Sequence, residues 1–215
     1  PGSNTFHFSN GVDTKKFGAN FGNDEIRRHL ATKDEFIILF AGLHGIAQGL
    51  DQIIRVASQL REHGNLRFVL IGDGPEKKKL IDMAKAEKLP NITFLDPCPK
   101  GEIPPLLASA NVILVPLEKY IPGAVPSKLF EAMASEKPVI LVAEGEAADI
   151  VTTANSGIVV QPGDINGIKQ AILLLEKKPS SCENFGVNGR RAAQEYYDRV
   201  AIVDRFIDYL ELHAH

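Results

Sequence analysis

Tryptophan is absent from this chain of 215 residues, and cysteine and methionine occur twice each. Two cysteines, Cys98 and Cys182, cannot build a disulfide framework and point to a reducing, cytoplasmic setting. They also fall short of a zinc cluster. Asp51, Asp73 and Asp96 stand alone, so no metal-ligand set is expected. No apolar run approaches the roughly 20 residues of a membrane span. The N-terminus lacks the charged and apolar regions of a signal peptide. Basic excess is missing as well: the formal charge is −3, and no basic stripe marks a nucleic-acid surface. What is abundant is apolar side chain, at 44%, enough for one large domain or a domain plus a tail.

Short apolar runs alternate with helical patterns through the middle of the chain. Residues 36–41, 66–71, 92–95, 112–115, 139–142 and 157–160 read as strands, and the near-continuous apolar run at 36–41 has the pattern of a strand buried on both faces. Between them lie helices, as at 50–60, 76–87, 103–109 and 165–176, and no hairpin signal intervenes. This predicts an α/β fold, a doubly wound and mainly parallel sheet, with a helical end over 182–197 and 198–212. Thr5-Phe6-His7-Phe8 alternates like a short strand before the Asn10-Gly11 turn. Ligands on such sheets bind beyond the carboxyl ends of the strands. The turns at Gly42, Gly72, Pro97 and Pro122 all fall at that edge.

Gly42-Leu43-His44-Gly45-Ile46-Ala47-Gln48-Gly49 joins a strand to a helix, where phosphate can approach backbone N–H groups. Its spacing is neither G-x-G-x-x-G nor a Walker loop, and it holds no lysine. His44 reads as a solvated loop histidine or a ligand contact. Lys77, Lys78 and Lys79 read as a solvated helix face.

The stretch that organises the chain is Pro122 to Pro138. Gly123 frees a loop that Pro122 and Pro126 stiffen. Ser127 is placed to cap a helix, and Leu129, Phe130 and Met133 to face a core. Lys128 sets a cation at the positive end of the helix dipole, a cost of about 0.3–1 kcal/mol that a bound anion would reverse. Glu131, one turn on, can accept bonds from a ribose diol. Equally, Lys128 and Glu131 can form an i,i+3 pair on a wet face.

In order along the chain, several motifs resemble the C-terminal, donor-binding half of a GT-B glycosyltransferase of family 4. Asn10-Gly11-Val12-Asp13 with Phe17 looks like the family's N-G-V-D entry, and Gly72-Asp73-Gly74-Pro75 like its G-x-G-P turn. Residues 126–134 with Lys137-Pro138-Val139-Ile140 resemble its E-A-M-A-x-G-x-P-V-I signature. Gly145, Asp149, Gly157 and Pro162-Gly163-Asp164 match the motif that follows. The V-P-S-K and G-x-x-G-x-A-Q-G forms are similar to a subgroup that builds surface polysaccharides from amino-deoxy sugars.

The resemblance implies a nucleotide-sugar substrate, UDP-linked, and no separate cofactor or metal. Lys128 and Glu131 would be the catalytic pair, with Lys128 on the diphosphate and Glu131 on the ribose. Val125, Pro126 and Ser127 would offer backbone to the diphosphate, beside Gly42, Gly45, Gln48 and Gly74. Cys98, Lys100 and Ile103 would surround the base, and Gly123 and Ala124 the sugar. Two departures stand out. Gly123 replaces a second glutamate, which leaves retention of configuration without that carboxylate. Leu43 and Gln48 replace an Arg and a Lys of the first loop. The expected division is a donor-binding domain over 1–180 and a helical segment over 181–215 that crosses back to an absent N-terminal acceptor domain. On this reading the chain binds nucleotide but does not transfer sugar alone. The full-length enzyme would be cytoplasmic, peripheral at the inner membrane face, acting on a glycan or lipid-linked glycan. The competing readings are a nucleotide-sugar epimerase of the same two-lobed fold and a non-catalytic dinucleotide-binding or regulatory module.

Overall fold

The computed structural model describes residues 5–6, 8–32, 34–119, 122–123 and 125–213. Six strands form one sheet: β1 (Phe36–Ala41), β2 (Leu66–Ile71), β3 (Ile92–Leu95), β4 (Val112–Pro116), β5 (Val139–Val142) and β6 (Gly157–Val160). Their order is β3-β2-β1-β4-β5-β6, and every pairing is parallel. The chain runs outward from β1 in one direction, then returns to place β4 on β1's other side. The switch point, where neighbouring crossovers leave in opposite directions, therefore lies between β1 and β4.

Side-chain alternation divides the apolar runs between two cores. Ile37 and Leu39 of β1, Ile113 and Val115 of β4, and Val139 and Leu141 of β5 face one side. There they meet α4 (Ile103–Ser109), α5 (Ser127–Ala134), α6 (Glu146–Ala154) and the alanines of α8 (Pro179–Tyr196). Ile38 and Phe40, Val112 and Leu114, and Ile140 and Val142 face the other side. That side is covered by α2 (Asp51–Gln59), α3 (Lys77–Ala86) and α7 (Ile165–Lys177). This double burial is why the strands read as continuous hydrophobic runs rather than alternating ones.

Helix ends follow local chemistry. Asn23 accepts from Ile26 N–H at 2.8 Å to open α1 (Asp24–Leu30), and Asp164 accepts from Gly167 N–H at 2.8 Å to open α7. α8 begins at Pro179, three residues before the expected start, so the division expected at 180 falls in its first turn. It lies tightly on the sheet domain: Gly186 meets the Glu136 carbonyl so closely that a side chain would collide, and Gly189 packs against Ser156 and Met133 with little room for one. α9 (Arg199–His213) has Ile202 buried, while Val200, Val203, Ile207 and Leu210 are exposed.

Residues 5, 6 and 8 are not a strand. Phe6 and Phe8 instead set their rings against Phe206 of α9, at 5.1 and 5.5 Å between centroids. His7, in the middle of that expected strand, lies outside the described residues. Among the described residues the segment pairs through a bridge from Val12 to Asp198. Val12 N–H donates to Tyr197 O at 2.9 Å, and Thr14 N–H to the Asp198 carboxylate at 3.1 Å. The N-G-V-D segment is thus tied to the turn between α8 and α9.

Candidate functional site at the strand tips

α5 follows β4, and the Gly42 loop follows β1, so the two flank the switch point. Leu129, Phe130 and Met133 are fully buried and fix the roll of α5, with Phe130 against the Tyr197 ring at 4.6 Å. Burial of each is worth roughly 1.5–3 kcal/mol. That roll brings Lys128 and Glu131 out toward the sheet edge. Lys128 reaches across the switch point: its Nζ lies 5.7 Å from the centre of the Phe40 ring. Its terminal carbons lie against the Gly42 α-carbon, where a side chain would overlap them.

The expected cap is corrected. Pro126, with φ −64° and extended ψ, takes the N-cap position, and Ser127 is the first helical residue. No side chain caps the helix. The proline ring presets the entry angle but offers no acceptor. Among the described residues the first-turn N–H groups of α5 are therefore left without a side-chain partner, and Leu129 N–H donates to the Pro126 carbonyl at 3.0 Å.

Lys128 and Glu131 are not the wet-face pair either. Both are partly buried, and among the described residues no ion pair joins them. Burial pushes the Lys128 ammonium below its ordinary pKa, against the pull of Glu131. Burial pushes the Glu131 carboxyl up, against the pull of Lys128, Arg199 and Lys100. Two half-desolvated charges without direct partners are costly unless something complements them.

On the other wall, the loops after β1 and β2 interlock. His44 N–H donates to Asp73 O at 2.8 Å, and Glu76 N–H to His44 O at 2.9 Å. Gly72 has φ +137°, and its α-carbon touches the Gly42 carbonyl so closely that only glycine fits. Gly74 presses in the same way on the His44 backbone. Gly45 N–H donates to Gln48 Oε1 at 3.2 Å, so these two are bonded to each other.

His44 is not solvated: it is fully buried between the Phe40 and Phe94 rings. Lys77 also departs from its reading as a solvated surface lysine. Its Nζ bonds Leu95 O at 3.2 Å and Asp96 Oδ1 at 2.9 Å, and its side chain is 15% exposed. Lys78 and Lys79 do stand in solvent, paired with Asp82 and Glu76. Helical register decides which of three consecutive lysines turns inward, and the run itself does not show it.

Cys98 and Ile103 are partly buried against the core beside β3 and α4, and burial raises the Cys98 thiol pKa. Lys100 is exposed on the same loop and within electrostatic reach of Glu131. A cavity of about 280 Å³ lies between the N-terminal segment and α5, lined in part by Asn10, Gly123, Val125, Phe130, Glu146 and Tyr197. Gly123 is exposed, with φ +73° and open space around it. Asn10 Nδ2 approaches Val125 O at 3.5 Å. Ala124 lies outside the described residues. Phe40, Arg199 and Tyr197 were not singled out from sequence. They come to the site through long-range packing that no local spacing signals. Among the described residues no His, Cys, Asp and Glu group could hold a metal ion, and no helix is long and apolar enough to cross a membrane.

This is the architecture of a Rossmann-like domain with a polar crevice at its switch point, and it matches GT-B glycosyltransferase structures. HepE of Anabaena in complex with UDP superposes with a TM-score of 0.83 at 20% identity, over 95% of this chain and 56% of that one. Sucrose-phosphate synthase of Thermosynechococcus elongatus superposes with a TM-score of 0.81 at 24% identity, over 96% and 52%. Residues 22–192 match the family described as Glycosyl transferases group 1, and the chain belongs to that family. WcaI of Escherichia coli K12, named for colanic acid biosynthesis, is 31% identical over 182 residues, covering 80% of this chain and 44% of WcaI. The capsular polysaccharide biosynthesis glycosyltransferase CapM of Staphylococcus aureus is 26% identical over 197 residues, covering 89% and 50%. The chain thus spans about half the length of these relatives.

Proposed function

We propose that this chain is the donor-binding domain of a glycosyltransferase that moves a sugar from a UDP-linked donor to a polysaccharide or lipid-linked acceptor, with UDP as the leaving group. The observation that carries the reading is the half-buried Lys128 and Glu131, without an ion-pair partner among the described residues, at a start of α5 that no described side chain caps. A diphosphate there would accept from the first-turn N–H groups and face Lys128 across the switch point. Glu131 would accept from the ribose hydroxyls. The base would lie toward Cys98, Lys100 and Ile103, and the sugar toward Gly123. UDP in HepE and the polysaccharide role in CapM's name support this direction.

The chemistry these residues can supply is stabilisation of the leaving diphosphate. As the glycosidic bond breaks, negative charge grows on the departing oxygen. Preorganised N–H dipoles and the Lys128 cation meet that charge without reorganising, an effect worth several kcal/mol in such sites. In this reading residues 1–180 form the donor domain, and the helical segment over 181–215 crosses to an acceptor domain. The chain alone then binds nucleotide without transferring sugar. The test is a calorimetric titration with UDP, GDP, ADP and NAD, repeated on Lys128→Ala and Glu131→Ala. Tightest binding of UDP, weakened by both substitutions, supports the reading. Preference for NAD, or binding untouched by both substitutions, overturns it.

A further inference from the structure

His44 is the only titratable residue between Gly42 and Gly49. Its backbone is clamped by the bonds to Asp73 and Glu76 and by the close approach of Gly74. The ring has no such support. It is fully buried, 5.8 Å from the Phe40 ring and 6.4 Å from the Phe94 ring. Among the described residues neither Nδ1 nor Nε2 has a hydrogen-bond partner of good geometry, although the Ile71 backbone stands close enough to favour the protonated ring. A neutral imidazole carries one N–H donor and one acceptor. Leaving such groups unsatisfied when buried weakens the fold. Leucine would fill the same space between two phenylalanines without that penalty, so shape does not explain histidine here.

We propose that His44 is the ligand-linked cation of the first loop: it takes up a proton from solvent when a nucleoside diphosphate settles on the strand tips. This rests on the donor-site reading above. Phe40 is the shared neighbour, since its ring lies beneath both the Lys128 ammonium and the His44 imidazole. The charged groups that face His44 are Lys77 of α3, Asp73 of the β2 turn and Lys128 of α5, with Asp96 after β3 reaching it through Lys77. Burial, Lys77 and Lys128 hold the imidazole below its ordinary pKa, and the Ile71 backbone and Asp73 offset this only in part. The free protein therefore keeps His44 neutral. A diphosphate brings at least two negative charges to the same edge and outweighs the two lysines. The bound state then binds more protons than the free state. By linkage, affinity rises as pH falls through the bound-state pKa and levels off below the free-state value. A loop without lysine or arginine so gains a cation only when its ligand is in place.

The experiment is calorimetry of UDP binding between pH 6 and 8, in two buffers of different ionisation enthalpy, for the wild type and His44→Leu. The terminal phosphate of UDP titrates near ~6 in both and cancels in the difference. The wild type should take up more protons than His44→Leu, by as much as about one per UDP, and its affinity relative to the variant should grow toward low pH, by at most about tenfold per pH unit. Equal proton uptake and parallel pH profiles would overturn the proposal and leave His44 a core filler. Should His44→Leu fail to fold, His44→Gln assigns the His44 ring resonance by its loss, and the wild-type ring is titrated by NMR with and without UDP. A midpoint that rises with UDP supports the proposal, and an unmoved one overturns it. Lys128→Ala is the control: if UDP does not bind the wild type, or binds Lys128→Ala equally, the donor-site reading itself falls and takes this inference with it.

Discussion

The two walls of the switch-point crevice are built on opposite terms. On the β1–β2 side the backbone is tied to itself: His44 to Asp73 and Glu76, Gly45 to Gln48, Gly72 wedged on Gly42. On the β4–α5 side polar groups are left open: an uncapped helix start, a desolvated Lys128, a desolvated Glu131. The first wall sets shape, and the second supplies attraction. Damage to the first should therefore register as lost stability, and damage to the second as lost affinity.

The largest effect is expected at Gly72. Gly72→Val forces a β-branched side chain into φ +137° and onto the Gly42 backbone, which cannot move aside. We expect a loss of about 3 kcal/mol or more in urea unfolding. Lys128→Ala should leave unfolding nearly unchanged and weaken UDP binding by about 10- to 100-fold, as for loss of a hydrogen bond to a charged group. If that substitution instead destabilises the fold by several kcal/mol, the division between walls is wrong.

Gly42→Ala lies on the seam and sharpens the comparison. The new methyl group meets the flexible end of Lys128 rather than backbone, at φ +149°. We expect a stability loss of about 1–3 kcal/mol for the backbone strain, with weaker UDP binding because Lys128 is displaced. Glu131→Gln should be milder, roughly 3- to 10-fold in UDP affinity, as for a hydrogen bond of about 1 kcal/mol. The same substitution should matter less for 2′-deoxy-UDP if Glu131 grips the ribose.

The smallest effect lies outside both walls. Burial would raise the Glu35 carboxyl, but Arg67 and Thr32 more than offset it, and the pKa is lowered. Asp198 behaves likewise, burial being outweighed by bonds from Thr14, Val200 and Ala201. Groups with lowered folded-state pKa values stabilise above their unfolded values, and that stability is lost as pH falls through the folded ones. The urea midpoint should therefore drop below about pH 4, the ordinary carboxylate range, and Glu35→Gln should flatten the drop.

The four central strands were legible because both-face burial demands largely apolar runs, the partly buried edge strands β3 and β6 because they keep the alternation of strand and helix, and the roll of α5 because Leu129, Phe130 and Met133 leave only one face for Lys128 and Glu131. What was not legible is non-local. Ser127 carries the right chemistry for a cap, yet Pro126 takes the place because its ring already holds the entry geometry. His44 reads as a loop residue because nothing nearby in sequence announces that the Gly72–Pro75 turn closes over it. Lys77 reads as solvated because only the position of β3 and Asp96 turns it inward. Phe6 and Phe8 alternate like a strand, but α9 offers them an aromatic partner in Phe206 instead.

The central claim is that a nucleoside diphosphate sits at the start of α5, across from Gly42. The direct measurement is amide chemical shift during UDP titration of the labelled chain. The account predicts the largest changes at Ser127, Lys128 and Gly42. Changes centred instead on the cavity of about 400 Å³ between α6 and α8, at Thr153, Asn188 and Arg191, would contradict it.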